Sequence, residues 1–154
     1  MPSSAPTSRF DSPEASIEYM KRVAVARSGF SNWLQIEPIV VWEGQSELLL
    51  KLRPEMTQHH GFAHGAIVGL MADNACAWAG ASKLGDVVTG GYTISFLRPA
   101  QGERLRAKGE VIKAGKRQAI VRADVFAEGS ESGEPVHVAT AQATIIPTGV
   151  AHAS

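Results

Sequence analysis

From Val88 to Ile146 the chain alternates apolar and polar residues in four successive runs, and only one long apolar helix is available to cover them. Val88, Tyr92, Ile94 and Phe96 are interleaved with Thr89, Thr93 and Ser95, and Pro99 and Gly102 close that run. Leu105, Ala107, Gly109 and Val111 alternate with Arg106, Lys108 and Glu110; Ala114-Gly115-Lys116 is a turn. Ala119, Val121, Ala123 and Val125 alternate with Ile120, Arg122, Asp124 and Phe126. After the solvated stretch 128–134, Ala139, Ala141, Ala143 and Ile145 share a face of the last strand. A period of two marks half-buried strands. A meander of such strands must have one face covered. The only long apolar helix spans 63–82. The economical fold is α+β: a curved antiparallel sheet wrapped around that helix.

The first half supplies the remaining elements. Residues 1–12, rich in Ser, Pro and Thr, are expected to be a disordered tail. Ser12 and Pro13 have the character of an N-cap and a first helical position, and a helix is expected to run to about Ser28 with Ile17, Met20, Val23 and Ala24 on one face. Leu34 to Trp42 reads as a strand, Gly44 as a turn, and Leu48, Leu50 and Leu52 as the inner face of a second strand that Pro54 ends. One domain is expected over 13–148, with a C-terminal tail at 149–154.

The charge balance is 15 basic against 15 acidic residues, which argues against nucleic acid or an anionic membrane as the main partner. No apolar run reaches membrane-spanning length, and the start lacks the basic-then-apolar pattern of a secretory signal, so a cytoplasmic enzyme is the default expectation. The single cysteine, Cys76, forms no internal disulfide; it is either a small packing residue or a catalytic thiol, and its place inside the helix favours packing.

The stretch from Gln58 to Gly80 concentrates the chemistry. A polar turn with His59, His60 and His64 runs into the apolar helix, whose one acid is Asp73. An ionised carboxylate among apolar residues is costly unless something pairs with it or uses it. The helix N-terminus ahead of it offers backbone N–H groups suited to a developing negative charge. Ile67, Leu70, Met71, Asn74, Ala75 and Trp78 recur at helical spacing as a packing face, while Asp73 lies among the small residues Ala66, Gly69, Cys76, Ala77 and Gly80. That small-residue face admits either a close backbone or a ligand; the alternative for Asp73 is plain solvent exposure. Gly65 and Asp73 are eight residues apart, roughly 12 Å along a helix. They cannot reach one carbonyl from a single chain. Two helices antiparallel about a two-fold axis would bring Gly65 of one near Asp73 of the other, in an isologous dimer with shared sites.

These residues, with Phe96-Leu97-Arg98-Pro99-Ala100, Gly102 and the Gly115-Lys116-Arg117 turn, resemble the hot-dog-fold acyl-CoA thioesterases, more narrowly the PaaI-like phenylacetyl-CoA and 4-hydroxybenzoyl-CoA thioesterase branch. The resemblance covers Leu34 to Pro147. It implies that the Gly65 N–H polarises the thioester carbonyl and that Asp73 of the partner subunit is the nucleophile or the base. It implies that Gln58 holds the carbonyl or the water, that His64 matches the histidine of the HGG motif, and that Thr89 orients water near the acid. It implies a homo-oligomer, dimer or tetramer, acting on a small-molecule acyl-CoA with no cofactor and no metal. Two features depart from the pattern: the motif reads His64-Gly65-Ala66, and the acid is Asp where the branch with Gln often has Glu.

Arg98, Lys113, Lys116 and Arg117 are either ordinary solvated charges or a basic rim for the phosphates of coenzyme A. Phe62, Trp78 and Tyr92 are candidates for an acyl pocket, with a core position the alternative for Trp78. His59 and His60 are either loop or pocket-rim residues, the favoured reading, or catalytic groups, and the histidine spacing does not suit zinc. Two rival readings remain at this level: a hot-dog enoyl-CoA hydratase, which needs a close Asp/His dyad, and a non-catalytic acyl-CoA-binding module, which has no use for a buried acid.

Overall fold

The computed structural model describes residues 10–129 and 133–149. Ser12 caps α1 (Pro13–Tyr19), its Oγ accepting the Ala15 N–H at 3.0 Å. The helix continues as a π-helical segment, Met20–Val25. The single helix expected to about Ser28 is therefore divided. Ser28 does not end a helix but starts one, its side chain accepting the Ser31 N–H at the head of α2 (Gly29–Leu34). Gln35, in the left-handed region at φ 59°, stops α2, so the first strand begins later than Leu34. The last three residues of the expected tail lie within the described part, where the Phe10 ring sits 5.3 Å from that of Tyr19; residues 1–9 fall outside it.

Strands β1 (Glu37–Trp42) and β2 (Gln45–Lys51) form a hairpin over Glu43 and Gly44, both at positive φ. A 3-10 turn, Pro54–Met56, ends β2 as Pro54 suggested. The long helix α3 runs Gly65–Leu84. Then follow β3 (Val87–Phe96), β4 (Arg104–Ala114), β5 (Ala119–Glu128) and β6 (Val136–Pro147). All pairings are antiparallel, in the order β1-β2-β4-β5-β6-β3. The sheet curls around α3, as a hot-dog fold requires. Alternate residues of β2, β4, β5 and β6 point at the helix: Leu48, Leu50, Leu105, Ala107, Val121, Ala123, Val125 and Ala139 are all fully buried. Among the described residues no helix is long and apolar enough to cross a membrane.

The small-residue face of α3 takes the close approach it was expected to admit, and the expected packing face is corrected in part. Cys76, Gly80 and Gly69 lie inside the core, while Ile67, Leu70 and Asn74 of the expected packing face are only half-buried. The reason is the curl of the sheet, which meets most of the helix circumference and comes closest where side chains are smallest. A Cβ on Gly80 would lie 2.8 Å from Ile145 Cγ2. A Cβ on Gly109 of β4 would collide with the Ala75 carbonyl and come within 2.5 Å of Ser46 Oγ. Ser46 donates a hydrogen bond of 2.6 Å to that same carbonyl. At the far end of α3, Ser82 accepts from Gly44 N–H and donates to the Ala79 carbonyl, each at 2.7 Å, tying the helix to the β1–β2 turn.

The two edges of the sheet differ. β1 is shielded by α1 and the π-helical segment. β3 carries exposed Val88, Tyr92 and Phe96, and no described element pairs its outer edge.

Two outcomes test this packing. Gly109→Ala should lower unfolding free energy by about 2–3 kcal/mol, the cost of overpacking at a rigid backbone contact. Gly115→Ala, whose Cβ would have only ordinary contact at 3.7 Å, should change it by less than about 0.5 kcal/mol; urea denaturation of both variants gives the comparison. Burial first, then the carboxylates of Asp73 and Asp124, push the Cys76 thiol up to about 12 from 9.0. The unfolded thiol ionises earlier, so the stability held by the neutral thiol is complete below about pH 9 and is lost as pH rises towards 12. Raising pH from 7.5 to 10 should therefore destabilise the wild type more than Cys76→Ala.

Candidate active site

The loop before α3 is locked by backbone bonds. Thr57 and Ala63 form an isolated bridge, and Gln58 N–H reaches the Phe62 carbonyl at 2.9 Å. Ala63 N–H donates to the Ala100 carbonyl and His64 N–H to the Met56 carbonyl, each at 2.8 Å. His64 then acts as the N-cap of α3, its Nδ1 accepting the Ala66 N–H at 2.9 Å and its carbonyl taking Ile67 and Val68. Among the described residues the Gly65 N–H is left with no partner. It lies at the positive end of a 20-residue helix, where an anionic oxygen is favoured. A cavity of about 390 Å³ opens here, lined by Gln58, Phe62, Gly65, Phe96, Arg98 and Pro99.

Asp73 sits two turns further along α3. It is half-buried and accepts a 2.6 Å hydrogen bond from Thr89 Oγ1. That bond fixes one carboxylate oxygen and leaves the other lone pairs open. Strand β3 runs antiparallel to α3, and three contacts fix their alignment. A Cβ on Gly65 would touch the Phe96 ring at 3.6 Å, one on Gly69 would meet the Tyr92 hydroxyl at 3.2 Å, and Asp73 bonds Thr89. The β-bulge between Thr89 and Gly91 turns Thr89 onto the helix side.

One chain thus separates the expected residues into two groups. Gln58, Phe62, His64, Gly65 and Arg98 gather at the end where Phe96 pairs with Ala139. Asp73 and Thr89 lie at the other end, where Thr89 pairs with Ile145 and Ile145 with Ala119. Six residues of β6 separate the two levels, about 20 Å of strand. Lys113, near the end of β4, and Lys116 and Arg117, on the β4–β5 turn, are exposed at the Asp73 end. Arg98, at the other end, donates to the His137 carbonyl at 3.1 Å. Tyr92 stands between the groups, 44 % exposed over Gly69, whereas Trp78 is buried in the core. His59 and His60 form an exposed ring pair 4.0 Å apart beside the cavity loop.

Phe96, Pro99 and Ala100 line the cavity, though in the sequence they stand as the end of an alternating run and as part of a motif, with no site role of their own. Their signal was the Pro that follows an alternating run, since it forces the chain to turn back across the α3 N-terminus. The one His–Asp ion pair among the described residues, His137 to Asp124 at 2.9 Å, lies on the outer face of the sheet, away from α3. Among the described residues no three His, Cys, Asp or Glu side chains gather where one ion could be held.

A sequence model of the thioesterase superfamily matches residues 60–134, the span from the cavity loop through β5. The structure superposes on a thioesterase family protein from Silicibacter pomeroyi with a TM-score of 0.77 at 31% identity, covering 84% of this chain and 96% of that one. A phenylacetic acid degradation-related protein from Ralstonia eutropha JMP134 gives a TM-score of 0.70 at 25% identity, over 85% of this chain and 98% of that one. The E. coli PaaI protein from the phenylacetic acid degradation operon, 22% identical, shares the fold with a TM-score of 0.76 over 90% and 97%. No curated protein matches the chain in sequence. With these residues on this helix-wrapped sheet, and a relative nearly a third identical over almost its whole length, the chain belongs to the thioesterase superfamily and has its hot-dog fold.

Proposed function

We propose that the protein hydrolyses acyl-CoA thioesters at sites built jointly by two copies of the chain. The observation that carries this is the half-buried carboxylate of Asp73, held by Thr89 on the uncovered edge of the sheet. A purely binding module has no need of it. The complementary group, the open Gly65 N–H, stands about 12 Å away along the same helix. One thioester carbonyl cannot reach both within one chain.

Edge pairing removes the gap. Among the described residues nothing pairs the outer edge of the ten-residue β3, a ladder that natural sheets cover or extend. If two β3 strands pair antiparallel with the two-fold axis at Thr93, Tyr92 lies opposite Ile94 of the partner subunit and, past the bulge at Gly90, Thr89 lies opposite Phe96 of the partner subunit. Asp73 follows Thr89, and Gly65 follows Phe96, so each acid meets the partner's oxyanion donor. The same operation brings Lys113, Lys116 and Arg117 of one chain to the end occupied by Arg98 of the partner subunit. The basic groups that one chain holds apart become one rim for the coenzyme A phosphates.

The chemistry then follows from position. The carbonyl oxygen of the bound thioester accepts from Gly65 N–H as negative charge develops on it, a contribution of about 3–4 kcal/mol for one such donor. Gln58, on the same cavity wall, holds the carbonyl or the water. Asp73 attacks the carbonyl carbon or takes the proton of an attacking water, with Thr89 fixing its orientation. The tetrahedral oxyanion collapses, the C–S bond breaks, and coenzyme A leaves as the thiol with a proton from solvent; on the nucleophilic route water then cleaves the acyl-Asp73 anhydride, releasing the free acid and restoring the carboxylate. His64 contributes by capping α3 and setting the direction of the Gly65 N–H.

Asp73→Asn keeps the shape and the Thr89 contact but should cut turnover by several orders of magnitude. A mixture of the Asp73→Asn chain with a Gln58→Ala chain should recover activity, because the heterodimer holds one site with neither change. Heterodimers that form without recovery would refute the shared site. Neutralising Lys113, Lys116 and Arg117 should raise KM more than it lowers kcat, and the effect should shrink with salt as charges are screened over about 8–10 Å. An acyl-pantetheine, lacking the nucleotide, should be indifferent to these changes; an equal loss would reassign the turn to the fold or the acyl pocket.

A further inference from the structure

Tyr92 is the one polar group of the inner face of β3 that neither Asp73 nor the α3 N-terminus accounts for. Its hydroxyl lies over Gly69, so close that a single added Cβ would stand 3.2 Å away. Gly69 is one helical turn from Gly65 and one from Asp73, about 6 Å in each direction. Glycine inside a helix is unfavourable by about 1 kcal/mol relative to alanine. Here its absent side chain gives the phenol a place against the helix backbone. Among the described residues that hydroxyl has no hydrogen-bond partner.

We infer that Tyr92 is a specificity-determining residue that closes the acyl pocket and selects acyl groups bearing a hydroxyl or carbonyl oxygen beyond the thioester. This rests on the shared thioesterase site proposed above. Acid, oxyanion donor and Tyr92 then lie in order along one strand–helix seam. A carbonyl carbon placed for attack by Asp73 points its chain along the seam towards Gly69, because the thiol side leads out to the basic turn. The phenol meets that chain one helical turn, about 5–6 Å, from the carbonyl carbon. With the two-fold axis at Thr93, the two phenols stand on either side of it. Each then forms the end wall of its pocket, which restricts the pocket to short chains and small rings. Once pairing excludes water from the seam, an unmatched phenol is left without a partner, which disfavours a fully apolar acyl group.

The test uses two matched substrate pairs, hexanoyl-CoA with 5-hydroxyhexanoyl-CoA and phenylacetyl-CoA with 4-hydroxyphenylacetyl-CoA, and reads kcat/KM for each. The wild type should prefer the hydroxylated member of at least one pair by roughly tenfold or more, the scale of one hydrogen bond in a partly shielded site. Tyr92→Phe should bring that ratio close to one. Gly69→Ala should raise thermal stability, as a glycine-to-alanine change in a helix does, while lowering the same ratio by displacing the phenol. A purely structural role for Tyr92 would move stability and leave the ratio alone. Tyr92→Ala should extend hydrolysis to decanoyl-CoA. Hydrolysis of both pairs with equal ratios in wild type and Tyr92→Phe overturns this inference alone. No hydrolysis of any of the four overturns the thioester reading, and this inference with it.

Discussion

The close approach of α3 to the sheet is the contact on which the remainder of the molecule rests. At Gly109 the strand backbone lies against the Ala75 carbonyl, and Ser46 donates to that same oxygen at 2.6 Å. Gly80 against Ile145 repeats the approach further along the helix. These contacts hold the helix axis at one depth and one rotation. A rotation of even one residue, about 100°, would carry Asp73 off β3 and point the open end of the helix away from Pro99 and Ala100. Packing at native density permits no such slack, since interiors tolerate a single extra methyl group poorly. The site is therefore positioned by atoms distant from it.

The site also shows how secondary structure can serve chemistry with few side chains. The oxyanion donor is a backbone N–H left over because a helix has nothing to offer its own first residues. His64 and the carbonyl of Ala100 consume the neighbouring polar groups and leave that one. The acid needs only one hydroxyl, that of Thr89, to hold it. On the outer face of the sheet Arg106 bridges Glu47 and Glu128, and the Arg106 guanidinium holds the Glu128 carboxyl below its ordinary range.

Much of this was legible in the sequence. Strict alternation in β2, β4, β5 and β6 located those strands because each has one face on α3 and one towards water. The Ser12-Pro13 signal held for the same local reason, a side chain reaching a backbone N–H three residues on. What failed was non-local. Periodicity on α3 assumed a single buried stripe, but a sheet that encircles the helix buries small residues on its other sides. The break at Ser28 was missed because a serine between helical stretches carries the same signal as an end or as a beginning. At the site, Asp73 and Gly65 stood out by residue type and spacing. The relation of Tyr92 to Gly69 could not be read, because it depends on the register of β3 against α3 across more than twenty residues of chain.

Strand β3 is asked to do two things, and its alternation divides them. Hydrogen bonding along its free edge belongs to the backbone, which is nearly indifferent to side-chain identity. The inward side chains, Thr89, Tyr92 and Phe96, address the substrate and the helix. Replacing an inward residue alters what is bound without erasing the ladder that would join two chains. A lineage built on this strand can change its acyl preference one substitution at a time while assembly persists. That separation gives a mechanical reason for one architecture to serve many different acyl groups.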